Sequence, residues 1–162
     1  MPHAHTAVLY PGMGLAGEGA SYSIGAATPL PFERIGAPWV DDDHLAARLN
    51  AIDIPGVRFR PTHFTPTAPQ YAFAHETCHG VQVHVTDRNA LRAVTLGLHL
   101  IACLKTLYPD KWVWKVAHFD RLMGNDATRM QIDAGVPVAD IVAGWRPMQA
   151  AFRERARAYW LY

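Results

Sequence analysis

Alternation of apolar and polar residues predicts four strands along the chain. The clearest is residues 80–87, where three valines face one side and the polar residues Gln82, His84 and Thr86 face the other. Residues 56–61 alternate apolar with basic side chains, and residues 111–116 alternate with a lysine near each end, which is typical of an edge strand. A short apolar run at residues 8–10 predicts a fourth, buried strand.

Apolar residues that recur every three or four positions predict the helices. These are residues 44–50, 88–108, 119–134 and 138–159. Aspartates 41–43 precede the first, and Asp87 is placed to cap the second, which Pro109 ends. The third has a possible break at residues 124–126, where an Asn or Asp would cap its second half. Pro147 can begin a separate last helix.

Two stretches carry too much Gly, Ser, Ala or Pro to continue as helix or strand. Residues 12–39 form the longer one, and their large apolar side chains, including Tyr22, Phe32 and Trp39, indicate a loop that is ordered by packing. Residues 62–73, with two prolines, form the second loop. The pattern predicts an α/β (α+β) fold in one domain, residues 1–162. In it a small mixed β-sheet packs against several helices, and a long Gly/Ser-rich loop follows the first strand.

Composition narrows the classes of function. Half of the 162 residues are apolar or aromatic, which is enough for one core. The net charge of +1, without a run of Lys or Arg, argues against nucleic acid or an anionic membrane as a partner. No apolar run is long enough for a membrane span, and no signal peptide is predicted, so the compartment stays open. Cys78 and Cys103 are too few for a disulfide scaffold, although one bridge remains possible.

Two short motifs suggest chemistry that their surroundings do not favour. Residues 12–17 match G-x-G-x-x-G, but a poor helix follows them, so we interpret them as part of a glycine-rich loop rather than a dinucleotide site. His75, Glu76 and His79 match the zinc-hydrolase motif H-E-x-x-H. Prolines upstream and Gly80 downstream leave little room for the helix that this motif needs. A zinc-dependent hydrolase therefore stays an alternative, and no cofactor is predicted otherwise.

Polar side chains of the long loop and of the strand at residues 80–87 are the candidate ligand-binding residues. They are Glu18, Ser21, Ser23 and Thr28 in the loop, and Gln82, His84 and Thr86 in the strand. The loop group suits a hydroxyl-rich ligand, or it satisfies the backbone of the loop itself. The strand group lines a cleft or is merely solvated. Together they would form one polar wall only if the loop and the strand lie close in space.

A series of short motifs extends through nearly the whole chain. The motifs are Leu9-Tyr10-Pro11-Gly12-Met13, Glu18-Gly19, Ser23, Gly25, Thr28, Pro31-Phe32-Glu33, Gly36-Ala37-Pro38-Trp39, Pro55-Gly56-Val57-Arg58-Phe59 and the run from Cys78 to Arg88. In combination they resemble the C-terminal domain of the NamZ family, exo-β-N-acetylmuramidases of glycoside hydrolase family 171. Each motif is weak on its own, and the combination is specific.

The resemblance implies an auxiliary role in peptidoglycan processing. Members of that family pair a Rossmann-like N-terminal domain with this smaller domain, and they remove terminal N-acetylmuramic acid in a cleft between the two. The main catalytic carboxylate is implied to lie on the N-terminal domain, which this chain lacks. The expected partners are therefore that domain and a muramic acid-containing saccharide, and we expect little or no glycosidase activity from the chain alone. Family members are commonly extracytoplasmic. A stand-alone sugar-binding or protein-interaction module with a decayed site is the alternative.

The long loop departs from the family pattern. Ala20-Ser21 replaces the usual Thr-Asn, and Ala26 and Ala27 replace an arginine and a glycine. The missing arginine could have bound the lactyl carboxylate of muramic acid, and an alanine restricts any backbone that needs positive φ. We expect Glu18 to reach the cleft as a hydroxyl-binding group rather than as a nucleophile. Asp87 and Arg88 are expected to be structural.

Overall fold

The computed structural model describes residues 3–160, which form one three-stranded sheet, seven α-helices and two short 3₁₀ turns. The strands are β1 (Arg34–Ala37), β2 (Val57–Phe64) and β3 (Cys78–Val85). The helices are α1 (Ala4–Glu18), α2 (Asp42–Ala51), α3 (Ala93–Leu107), α4 (Val116–Met123), α5 (Ala127–Asp133), α6 (Val138–Gly144) and α7 (Arg146–Ala156). Short 3₁₀ turns occupy Pro109–Lys111 and Arg157–Tyr159. None of these described helices combines the length and apolarity that crossing a membrane requires.

The predicted β-sheet is confirmed in its two clearest strands. β3 lies in the centre, and β2 and β1 pair with it on either side. β2 extends three residues beyond the predicted end at residue 61, to Phe64, so the second loop begins later than expected. Both pairings are antiparallel, so the α+β class is confirmed with an antiparallel rather than a mixed sheet.

The valine face of β3 belongs to the core, as its alternation predicts. Val81 and Val83 are buried, and the residues directly opposite them, Ile35 on β1 and Phe59 on β2, share their face. α2 packs against β2 and β3, and α1 packs along α3. α3 contributes much of the remaining core, because its Leu96, Leu98, Leu100, Ile101 and Leu104 are fully buried.

The start of the chain is helical, so the strand predicted at residues 8–10 is wrong. α1 continues through Pro11 and through the G-x-G-x-x-G residues to Glu18, which leaves the long loop only residues 19–33. Packing explains the helix, because Leu9 and Met13 are fully buried and Gly12 lies against the backbone of α3. A Cβ added to Gly97 would lie 2.8 Å from the Cα of Gly12. The glycines therefore permit close helix contact rather than a nucleotide-binding turn.

The predicted helix at residues 88–108 starts later than its pattern suggests. α3 begins at Ala93, and the Asp87 carboxylate caps a preceding turn instead, accepting from the backbone N–H groups of Asn89 at 2.8 Å and Ala90 at 3.3 Å. The cap predicted before α2 is confirmed, because Asp41 Oδ1 accepts from the N–H of His44 at 2.9 Å. A side-chain cap therefore specifies a local turn, and only further context decides whether a helix follows.

The edge strand predicted at residues 111–116 is wrong. A 3₁₀ turn precedes it, α4 begins at Val116, and Trp114 makes an isolated bridge to Ala20. Its two tryptophans pack against each other instead: the rings of Trp112 and Trp114 are nearly perpendicular, with 4.9 Å between their centroids. Alternation in this segment reflects aromatic packing rather than strand pairing.

The helices that follow residue 116 agree with their sequence pattern. The predicted break at residues 124–126 separates α4 from α5, with Gly124 at φ 74° and the Asn125 side chain accepting from the N–H of Thr128 at 3.0 Å. Pro147 lies in the first turn of α7, as predicted. None of the residues that the structure describes in α7 is buried, and Met148 and Phe152 are largely exposed. α7 therefore presents an apolar surface to solvent.

Candidate functional site

Glu18 lies at the C-terminal end of α1 and lines a groove of about 550 Å³. The groove runs between α1, the end of α4 and the start of α7, and its lining is mainly apolar, with Leu15, Leu122 and Trp145 among its walls. Among the described residues that line it, Glu18 is the only carboxylate. Its side chain is 43% exposed, so an outside ligand can reach it.

A chain of polar contacts orients the Glu18 carboxylate. Arg121 Nη2 donates to His118 Nδ1 at 2.8 Å, and His118 Nε2 lies 3.1 Å from Glu18 Oε2. Because a guanidinium can only donate, His118 Nδ1 must accept, which places the ring proton on Nε2 and directs it at Glu18. One carboxylate oxygen is thus held by α4, and the other, which has no hydrogen-bond partner among residues 3–160, can accept from a hydroxyl group of a ligand.

Two of the loop residues bond to nearby backbone. The Ser21 hydroxyl donates to the carbonyl of Val113 at 3.4 Å, and the Thr28 hydroxyl donates to the carbonyl of Gly25 at 2.6 Å. Thr28 also accepts from the N–H of Leu30 at 3.3 Å. Their hydroxyl groups therefore stabilise the loop, which was the alternative role for polar residues in such a segment.

Ser23 joins the long loop to the sheet. It pairs with Gly36 through two backbone hydrogen bonds of 2.9 Å, so the loop extends the outer edge of β1. Directly paired residues point to the same side of a sheet, and Gly36 pairs in turn with Gly80. Ser23 therefore shares the non-core face of the sheet with Gln82, two residues along β3. Its buried hydroxyl has no hydrogen-bond partner among the described residues.

The non-core face of the sheet is basic. Gln82 lies between Arg34 and Arg60, its direct neighbours on β1 and β2, and His84 follows on the same side of β3. We call these four residues the polar sheet face. Burial lowers the pKa of His84 below its usual value, and the positive charge of Arg60 lowers it further. The face suits an anion. Thr86 is exposed beyond the end of β3, outside this group.

Glu33 is a buried carboxylate that the sequence patterns did not single out. It is 7% exposed, precedes β1, and accepts from the Thr6 hydroxyl on α1 at 2.6 Å. Its negative charge raises the pKa of His84, whereas the positive charge of Arg60 lowers it. Glu33 therefore contributes to the electrostatic environment of the polar sheet face. The only sequence signal was its place in the Pro31-Phe32-Glu33 motif.

Aromatic side chains hold the long loop in place. Tyr22 and Trp39 were singled out in the sequence for this role, whereas their partners Trp112 and Phe73 were not. Tyr22 lies 6.3 Å from Trp39 and 5.7 Å from Trp112 between ring centroids, and Trp39 lies 5.0 Å from Phe73. Burial raises the pKa of Tyr22 to about 12. The predicted ordering of the loop by packing is thereby confirmed. The indole nitrogens of Trp39 and Trp112 are buried without partners among the described atoms.

The H-E-x-x-H residues do not form a zinc-hydrolase site. His75 has φ 65° and Glu76 lies in a turn, whereas His79 is in β3, so the helical face that the motif requires is absent from this described segment. His79 lies instead beside His63 and Asp42. One side-chain nitrogen of each histidine and one carboxylate oxygen of Asp42 all lie within 4.8 Å of one another. Both cysteines, Cys78 and Cys103, are free thiols, and burial raises the pKa of each to about 11.

An antiparallel sheet that packs against α2, with α3 in contact with α2 and α1 in turn, defines an α+β domain that matches known proteins over its whole length. The sequence model of the family described as exo-beta-N-acetylmuramidase NamZ, C-terminal, matches residues 8–162, and the chain belongs to this family. It is 37% identical to the peptidoglycan beta-N-acetylmuramidase NamZ of Bacillus subtilis strain 168 over 100% of its own length and 39% of that protein.

Solved structures agree with this assignment. A DUF1343 family protein from Bacteroides fragilis is 32% identical, with a TM-score of 0.88 over 99% of this chain and 43% of that one. A second DUF1343 protein from the same organism is 24% identical, with a TM-score of 0.68 over 99% of this chain and 42% of that one, and shows the same fold. The chain thus spans about two fifths of the length of these relatives.

Proposed function

We propose that this chain forms one wall of the substrate cleft of a peptidoglycan-processing exo-β-N-acetylmuramidase and has little or no hydrolytic activity alone. The observation that supports this most directly is that Glu18 is the only carboxylate among the described residues that line the groove. Hydrolysis of a glycosidic bond normally needs two carboxyl groups, one on each side of the bond. The other carboxyl group must then come from outside this groove.

The proposed source of the missing chemistry is a Rossmann-like N-terminal domain, with residues 1–162 as the single C-terminal domain. The NamZ relative is more than twice as long as the part that this chain matches, which leaves room for such a domain there. The surface proposed to meet it comprises the rim of the groove and α7, where Met148 and Phe152 are 69% and 63% exposed. Apolar surface of this kind favours association, so the isolated chain should self-associate at high concentration.

We assign the Glu18 groove and the polar sheet face to the binding of different parts of a muramic acid-containing saccharide. Glu18, held by His118, accepts from sugar hydroxyl groups, and the polar sheet face binds carboxylate. Arg34 is suited to take the place of the arginine that Ala26 replaces, because it lies beside the preceding residue: a Cβ added to Gly25 would lie 3.3 Å from the Cβ of Arg34. A guanidinium there can bind a carboxylate through two parallel hydrogen bonds.

The test is hydrolysis of a chromogenic N-acetylmuramic acid glycoside by the chain alone and by the chain mixed with a NamZ-type N-terminal domain. We expect activity only in the mixture. Glu18→Ala should lower its kcat/KM about tenfold or more, the size of one lost hydrogen bond to a charged group. Glu76→Ala is the matched control, because Glu76 is an exposed carboxylate outside the groove. Its activity should equal that of the unmodified chain.

Two results would contradict the proposal. Hydrolysis by the chain alone would show that it carries its own catalytic pair. A silent mixture, with both halves shown to associate by analytical ultracentrifugation, would favour the stand-alone binding or interaction module.

A further inference from the structure

We propose that Asp42, His63 and His79 form a binding site for a divalent transition-metal ion of the zinc class. The proposal does not depend on the muramidase role, and it uses only one residue of the H-E-x-x-H motif. The ligand atoms of the proposed site come from three separate elements: α2, β2 and β3.

The ligand atoms are already close together. His63 Nε2 lies 2.8 Å from Asp42 Oδ2, the two imidazole rings are 4.4 Å apart between centroids, and one ligand atom from each of the three residues lies within 4.8 Å of the others. Two ligands on a tetrahedral zinc ion are about 3.4 Å apart, because each is about 2.1 Å from the metal. Small side-chain rotations would therefore be enough to surround an ion.

The backbone fixes this arrangement. His63 and His79 are directly opposite each other in the β2–β3 pairing, so both side chains project from the same side of the sheet. Asp42 lies in the first turn of α2, whose start is set by the Asp41 cap. A site whose ligands are positioned by paired strands and a capped helix loses little freedom on binding an ion.

The types of ligand atom and the solvent exposure of the site indicate which ion it would bind. Two imidazole nitrogens and one carboxylate oxygen suit zinc and its neighbours, whereas magnesium and calcium prefer oxygen ligands. The Asp42 side chain is 19% exposed and that of His63 is 58% exposed, so the site is open on one side. Three protein ligands leave the fourth position of a zinc ion to water or to another donor.

A hydrogen bond between His63 and Asp42 is the simpler explanation of their contact, and it predicts a different result. Such a pair needs no third partner, whereas a metal site depends on His79 as well. Loss of zinc affinity on replacing His79 therefore separates the two explanations, because the contact joins only His63 and Asp42.

The experiment is titration of the chelator-treated full chain with Zn²⁺ by calorimetry, and with Co²⁺ by visible absorption. We expect one equivalent to bind, with the intense bands of four-coordinate cobalt. Asp42→Asn, His63→Ala and His79→Ala should each weaken binding more than about tenfold, since even the loss of an outer hydrogen bond to a ligand costs that much. Zn²⁺ should raise the melting temperature of the unmodified chain and not of these variants.

Two control variants address other histidines. His75→Asn removes the second motif histidine and keeps a residue that tolerates its positive φ. A double replacement of the exposed His3 and His5 by Ala removes ligands near the N-terminus. Both should bind zinc as the unmodified chain does. The proposal is overturned if no stoichiometric binding is seen, or if the cluster variants bind normally. Since Asp42→Asn is nearly isosteric, it gives the decisive result should a histidine variant fail to fold.

Discussion

Replacing Gly12 with Ala should destabilise the protein, because α1 and α3 touch through backbone at this position. A Cβ at Gly12 would overlap the carbonyl oxygen of Ala93, and would lie 2.8 Å from its carbonyl carbon and 3.0 Å from the backbone nitrogen of Gly97. None of these atoms belongs to a flexible side chain. The helices would have to separate, and that loosens the contacts of the fully buried Leu9 and Met13.

The size of the effect follows from two opposing terms. Overpacking of a well-filled core costs up to about 3 kcal/mol. We expect the Gly12 substitution to reach this upper value, because the atoms around Gly12 are backbone atoms that cannot move aside as a side chain can. Alanine is better than glycine inside a helix by about 1 kcal/mol, which offsets part of the cost. The free energy of unfolding should therefore fall by about 2 kcal/mol, and the melting temperature by about 4–8 °C for a chain of this length.

Gly14→Ala is the matched control, two residues along the same helix. A Cβ at Gly14 meets nothing within 4 Å, so only the helix preference remains. This variant should gain about 1 kcal/mol. Thermal and urea unfolding followed by circular dichroism measures both variants. If Gly12→Ala proved as stable as Gly14→Ala, the close helix crossing would not exist in solution, and contact with α3 could not be the reason that α1 is helical.

Two further predictions concern the loop and the polar sheet face. Ala27→Gly should raise the free energy of unfolding by about 1 kcal/mol, measured by thermal unfolding, because Ala27 has φ 58°, a conformation costly for any residue with a Cβ. Arg60→Ala should raise the pKa of His84, measured by NMR titration, because the variant removes the positive charge that depresses that pKa. The pKa of His84 should still stay below its usual value, since its burial remains. Because the folded protein binds fewer protons at His84 than the unfolded chain does, stability should fall as pH drops below about 6.5, and less so in the variant.

Each of these has a control in the chain. Gly25 has φ 67° and its added Cβ would lie 2.9 Å from the carbonyl oxygen of Leu30, so Gly25→Ala should destabilise the loop that Ala27→Gly stabilises. Arg58 lies opposite His84 but pairs with Asp53 at 3.0 Å, so Arg58→Ala should leave the pKa of His84 unchanged. An equal shift of the His84 pKa in both arginine variants would mean that the depression is not specific to Arg60.

Local patterns were sufficient for the elements whose signals are short-range. The alternation of β3, the aspartate cap of α2, the break at residues 124–126 and the start of α7 at Pro147 all depend on neighbouring residues, and all are confirmed. The resemblance to the NamZ family came from motifs in the chain, and the family match confirms it.

Only the tertiary structure decided the elements that depend on distant contacts. The residues of α1 have weak helix preferences, and contact with α3 through Gly12 and Gly97 makes them helical. Trp112 packs against Tyr22, and Trp114 packs against Trp112, rather than forming a strand. His79 lies beside His63 because of the register between β2 and β3, which no spacing within the H-E-x-x-H motif reveals. Sequence spacing describes neighbours along one element, whereas a site joins residues that only packing and strand pairing bring together.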